Sequence, residues 1–265
     1  MHIVVSILII CIAGKGYSRY FSAISISREK YHIHPRVLEV IRLSGLYGVY
    51  KSNQPAINHS LITALVERWR PETHTFHFRT GEATITLQDV KVLYGLPVNG
   101  DPILGMMMAD MCGGYLKLMY LSVIENIDKI GSYSWGSATL TYMRHFLCKA
   151  SQSTQNEIVD FCHYFSLPLY CHAGRDIWRV RVPMFCWDVV ELHLSDRVMI
   201  QFGLQRAIPT PFPFDSNHIC HDRRETPNTN WELERAHWLS FWNQRLQYSC
   251  DAPINNEPLR YDDLY

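Results

Sequence analysis

The chain has no net charge: 25 Lys and Arg balance 25 Asp and Glu over 265 residues. A neutral balance supplies no whole-chain field to draw in nucleic acid or an anionic membrane. No stretch is both long and apolar enough to cross a bilayer near the amino terminus, where Ile3 to Ala13 (IVVSILIICIA) falls short of the length a spanning helix needs. Basic residues do not cluster either, and Arg223-Arg224 alone is too little to mark nuclear import. Phosphate-binding loops and Gly-x-Ser-x-Gly elbows are missing. So are the Gly-Asp-x-His and Gly-Asn-His-Glu runs of a two-metal phosphatase. Internal repeats are absent as well.

Cysteine pairs at zinc-knuckle spacing are also lacking. The eight cysteines are scattered, several of them inside apolar runs such as Phe185-Cys186-Trp187. In a chain of this length that pattern reads as reduced core thiols of an intracellular protein, with a disulfide framework as the weaker alternative. Cys162-His163, Cys171-His172 and the His218, Cys220, His221 group do not have metal-ligand spacing, so no metal is expected. His74 and His77, three apart in an extended segment, fall on opposite faces and cannot chelate together.

What the chain does have is apolar bulk. Hydrophobic residues make up 47% and aromatics 12%, enough for one large domain or two small ones with a substantial core. Of the basic residues only seven are Lys, and the rest are Arg, whose planar fork suits carboxylate, phosphate and aromatic partners.

Leu61 to Pro97 carries the densest pattern. Leu61, Ile62, Leu65, Val66 and Trp69 recur at helical spacing, and Pro71 should end that helix. Thr73 to Phe78 and Ala83 to Thr86 flank Arg79-Thr80-Gly81-Glu82, which predicts a hairpin with Gly81 supplying a positive φ. Thr86 and Asp89 form a capping-box pattern that opens a helix closed by Gly95 and Pro97.

Elsewhere the spacing predicts helices from Pro35 to Gly45, over Leu116 to Ile127, and through Leu140, Met143, Phe146 and Leu147. A helix is also expected to start at Pro183 and run through Trp187, Val190, Glu191 and Leu194. Asp196 should cap a short helix ending near Gly203, and Asn230 should cap a last one through Leu233, Trp238, Phe241 and Trp242. Asn99 to Pro102 reads as a turn, Trp178 to Val182 as a short extended segment, and Ile208 to Pro213 as a rigid connector. The apolar run before Lys15 reads as a buried helix, with a cleaved signal peptide as the alternative. The expected fold is mainly α: an irregular helical domain over residues 31–250 with one small β-hairpin near 73–86, an apolar segment over 1–30 and a polar tail over 251–265.

WRPETHTFHFRTGEATITLQDVKVLYGLPVNGDPILG resembles the core of the plant mobile domain, a family also labelled aminotransferase-like. Tyr47-Gly48-Val49-Tyr50 with Leu61 to Arg70, Tyr133 to Ala138, Trp178 to Pro183, and Asp196-Arg197-Val198 with Gln201-Phe202-Gly203 extend the likeness in the same order. Relatives normally carry a longer helical segment between the Trp135 and Trp178 islands, so this chain is shortened in the middle, near 149–177. The resemblance implies a non-enzymatic nuclear protein-interaction module. Transposon silencing, gene-expression control and meristem maintenance are the implied roles, with a phosphatase-7-like protein as partner.

By the same resemblance the binding candidates are Trp69, Arg70, Glu72, Thr73, Gly81, Glu82, Asp89, Trp135, Trp178, Arg179 and Arg181. The blander alternative has Trp69 closing a core, Arg70 pairing with Glu72, and Arg179, Arg181, Arg197 and Arg206 pairing with Asp176, Asp188, Glu191 and Asp196. No catalytic residue and no cofactor is expected, because no lysine sits in a phosphate cup that pyridoxal phosphate would need. Rival readings are a nucleic-acid-binding or transposon-encoded protein, and an inactive truncated family copy.

Overall fold

The computed structural model describes residues 35–43, 47, 59–104, 127–152, 174–205, 208–209, 218–220 and 230–253. The Ile3 to Ala13 run, the helix expected from Leu116, the Cys162-His163 and Cys171-His172 pairs, Arg206, His221 and most of the proline connector lie outside them. Helical turns supply most of the regular backbone, and two sheets hold the middle together.

Helix α1 (Pro35–Leu43) and helix α2 (His59–Val66) come first. Trp69 does not extend α2, as its spacing suggested. It lies in strand β1 (Trp69–Arg70), which pairs antiparallel with β2 (Thr75–Phe78), itself paired with β3 (Gly81–Ala83). The helix is over by Val66, before Pro71 can act on it. Trp69 keeps the apolar face because a β-strand here can point it inward equally well. The expected hairpin is therefore two strands of a three-stranded sheet, and Gly81 adopts φ 132 at its turn.

The capping box forms as read. Thr86 accepts from the Asp89 N–H, the Asp89 carboxylate accepts from the Thr86 N–H, and helix α3 (Leu87–Tyr94) ends on Gly95 at φ 69. After β4 (Ile103–Leu104) and a 3₁₀ turn (Ile127–Ser132), helix α4 (Trp135–Gln152) crosses the centre. Gly136 lets α4 approach the Pro97 carbonyl at 2.7 Å, and a Cβ there would stand 2.6 Å from Val98.

The largest correction falls on Pro183 to Leu194. In place of a helix, β5 (Val182–Trp187) and β6 (Val189–His193) form an antiparallel pair, flanked by β4 on one side and β7 (His218–Cys220) on the other. Every residue of both central strands is buried, because α4 covers one face and the carboxy-terminal helices the other. A strand buried on both faces reads as a continuous apolar run and carries no period of two. Pro183 stands at the second position of β5, near the strand start, where proline is tolerated. The connection through Trp187 and Asp188 is equally hidden, since Trp187 takes φ 58 where a turn of this kind usually has glycine.

Ser195–Phe202 is 3₁₀ in character, kinked at Val198, and ends at Gly203 as expected, although Leu194 rather than Asp196 stands at its start without a side-chain cap. Asn230 does cap the last helical segment, which breaks at Arg235 into α5 (Trp231–Glu234) and α6 (Ala236–Asn243). The chain then returns: Val180 bridges Ser249, Cys250 N–H donates to Arg179 O and Gln205 N–H donates to Pro253 O.

Candidate functional site

The ionisable groups with most chemical potential meet where the first sheet, α4 and β6 join. Arg144 lies on the stripe set by Leu140 and Leu147, so the apolar face of α4 carries a guanidinium into the core. It is 1% exposed and donates to Leu192 O at 2.6 Å and Ile85 O at 2.8 Å, tying β6 to the strand after the hairpin. Burial lowers its pKa to about 10, opposed by the nearby Glu191 carboxylate.

Glu191 is fully buried on β6. His74 Nε2 stands 3.1 Å from Glu191 Oε2, and His145 Nδ1 stands 3.7 Å from Oε1. The other His74 nitrogen faces Leu192 O at 3.4 Å. His74 holds φ 52, a region a β-substituted residue enters at a cost of about 1–3 kcal/mol, and the Thr84 hydroxyl donating to its carbonyl helps keep it there. Two residues beyond Glu191, His193 is buried with Nδ1 donating to Val180 O at 2.8 Å. Burial and then Arg144 press its pKa to about 3, against that hydrogen bond, so the ring is neutral at pH 7.

Chemically this is a mutually neutralising set: one guanidinium, one carboxylate and imidazoles that share the same carbonyls. A buried charge of either sign needs such partners, and removing one partner typically costs about 3–5 kcal/mol. Among the described residues no group of three or more His, Cys, Asp or Glu is arranged to hold a metal ion.

The residues singled out in the sequence are not gathered into that cluster. Trp69 is fully buried, stacks 6.2 Å from His74, packs 4.7 Å from Phe76 and donates to Cys148 Sγ at 3.3 Å. Arg70 is exposed and donates to the carbonyls of Glu67 and Trp69. Thr73 shares hydrogen bonds with Thr75 at 2.6 Å and His77 at 3.3 Å, while Glu72 is exposed beside it. Gly81 turns the hairpin and Asp89 completes the cap. Trp135 donates to Ile130 O at 2.8 Å, and Trp178 is buried under Arg175.

The arginines are spoken for. Arg197 grips Glu82 through two bonds of 2.7 and 2.8 Å, and Thr75 adds a third at 3.1 Å. Partial burial pushes the Glu82 carboxyl up, but the Arg197 fork outweighs it and holds the group below its usual range. Arg181 lies 3.1 Å from Asp196, whose pKa burial raises despite that partner, and Arg179 reaches the exposed Asp251 at 3.1 Å. Ion pairing was anticipated for these arginines, but Glu191 was misassigned to them: it serves His74 and His145. Gln201 completes the joint by exchanging both amide bonds with the Thr84 backbone, at 2.9 and 3.0 Å.

Arg144 and His145 were missed in sequence. The available signal was their place inside the Leu140 to Leu147 apolar stripe, where a charge must find a partner. Among the described residues Cys148, Cys186 and Cys250 are free thiols, and burial raises the Cys148 pKa to about 12. No described helix is long and apolar enough to cross a membrane.

Comparison with known proteins agrees with the motif order. The plant mobile domain family matches residues 45–110 and 165–265, leaving 111–164 between the two matched parts. A serine/threonine-protein phosphatase 7 long form homolog of Arabidopsis thaliana is 26% identical over 375 aligned positions, covering 88% of this chain and 28% of the relative. Protein MAINTENANCE OF MERISTEMS of the same plant is 29% identical, covering 63% of this chain and 62% of the relative. Protein MAIN-LIKE 1, also from that plant, is 23% identical over 78% of this chain and 65% of its own length. The chain thus spans less than two thirds of each of these relatives. The first alignment is longer than the 265-residue chain itself, so the relative carries long insertions that this chain lacks. No solved structure matches.

Proposed function

Because the chain belongs to the plant mobile domain family, we propose that it is a non-enzymatic module that works by binding another protein in the plant nucleus, within gene silencing and meristem maintenance. One observation supports this reading above the others: the groups able to do acid-base chemistry, His74, His145, Glu191 and His193, are at most 2% exposed and are committed to joining two sheets. A substrate has no route to them without the fold opening. The family-motif residues around them cap helices, turn hairpins and hold ion pairs, which leaves the surface to recognition.

The names of the relatives suggest the setting. One of them is called a maintenance-of-meristems protein and another a phosphatase 7 homolog. A phosphatase-7-like protein is the partner we propose. Direct nucleic-acid binding is the rival, and the ion pairing of Arg179, Arg181 and Arg197 weighs against it, since a phosphate would have to displace a carboxylate at each.

The test is affinity capture from plant nuclei, with and without nuclease. Retention of a phosphatase-7-like protein after nuclease treatment supports the proposal. Loss of every partner after nuclease would sink it in favour of the nucleic-acid reading.

A further inference from the structure

His193 is engaged on one nitrogen only. Its Nδ1–H donates to Val180 O, which also accepts from the Ser195 hydroxyl at 3.1 Å, while its buried Nε2 meets no hydrogen-bond partner among the described residues. The carbonyl it holds belongs to a segment with little else in its favour. Val180 forms an isolated bridge with Ser249, Arg181 N–H donates to Tyr248 O at 2.9 Å, and Cys250 N–H donates to Arg179 O at 2.9 Å. His193 therefore fastens β6 to the Val180 segment and, through it, to the returning carboxy-terminal stretch.

We propose that His193 is a proton-operated latch: as the neutral ring it holds the Val180 segment against β6, and on protonation it lets that segment and residues 248–250 come away. Protonation would place an N–H at Nε2 with no acceptor and a second cation near Arg144, and both are costly inside a core. The other ionisable groups of the packed elements cannot offset this. Glu191, on the same strand, is engaged by His74 from the hairpin and His145 from α4. On the opposite side Asp196 is paired with Arg181, Arg179 with Asp251, and Cys250 accepts from Ser195 at 3.6 Å.

The sign follows from linkage. A base whose pKa is depressed in the closed state, here to about 3, binds its proton in the opened state first. Opening is thus favoured as pH falls below the ordinary imidazole value of about 6.5, by about tenfold per pH unit for one proton.

The test is amide exchange on the full chain, comparing wild type with His193→Asn, whose side-chain N–H can still reach Val180 O but cannot titrate. Protection at Arg181 and Cys250, corrected for intrinsic rates, should fall about a hundredfold more steeply in wild type than in the variant between pH about 6.5 and 4.5. Parallel pH profiles would overturn the latch. Should the variant not fold, carbon chemical shifts of the wild-type ring decide: a ring still neutral at pH about 4.5 supports the proposal, and one that titrates near its ordinary value of about 6.5 contradicts it.

Discussion

The sheet built on Trp69 to Ala83 and the sheet built on Val182 to His193 solve the same packing problem in opposite ways. The first buries one side and leaves the other to a polar web: Thr73, Thr75, His77 and Glu82 with Arg197. The second is buried throughout and takes in charge only where Glu191 and His193 meet groups delivered by α4 and the hairpin. Polar stitching at the half-buried face adds small, nearly separable increments. Polar groups in the sealed sheet are few and individually expensive to disturb.

That contrast can be broken from its stiff end first. Trp69→Ala should remove about 3–5 kcal/mol, because a fully buried indole packed on Phe76 leaves a cavity and an unpaired Cys148. Urea unfolding followed by Trp fluorescence measures it, and a loss under about 1 kcal/mol would mean that the two sheets do not share a core. Glu191→Ala should cost about 3–5 kcal/mol by stranding His74, His145 and Arg144. A simultaneous exchange of Glu191 and His74 for apolar residues should recover part of that loss, which a thermal melt of the two variants can show.

At the flexible end the effects shrink. Thr86→Ala, which deletes the hydroxyl half of the capping box, should cost about 1 kcal/mol and shorten protection in α3. A double-mutant cycle on Arg197 and Glu82, groups about a quarter exposed, should give a coupling of about 1 kcal/mol after solvent screening. With the Glu82 carboxyl held below its usual range, that coupling is present above its unfolded value and fades as pH falls through the folded one. A coupling as large as that of Glu191 would erase the distinction between the two sheets.

The same difference decides how much could be read from the amino acids alone. Thr86, Asp89, Gly95 and Gly81 announce themselves because caps and tight turns need particular residue types at fixed offsets. Asn230 behaved the same way. Pro183 to Leu194 did not, since an unbroken apolar run has no period and its turn uses Trp187 at φ 58 without glycine or asparagine. Trp69 was placed on the right face and in the wrong element, because an inward residue two past a helix end fits either. The charged joint was hidden for a further reason: Arg144, His74 and Glu191 lie far apart in sequence, and only the fold brings them together. Family likeness identified the islands correctly, but the residues it marked are mostly those that shape the scaffold.

Amide exchange under increasing denaturant, read separately at Phe76 to Ala83 and at Met184 to Leu192, tests the joint most directly. The account predicts one shared transition, with both sheets losing protection at the same denaturant concentration, since Arg144 and Glu191 bind them into a single unit. Release of the hairpin amides well before those of the second sheet would contradict it.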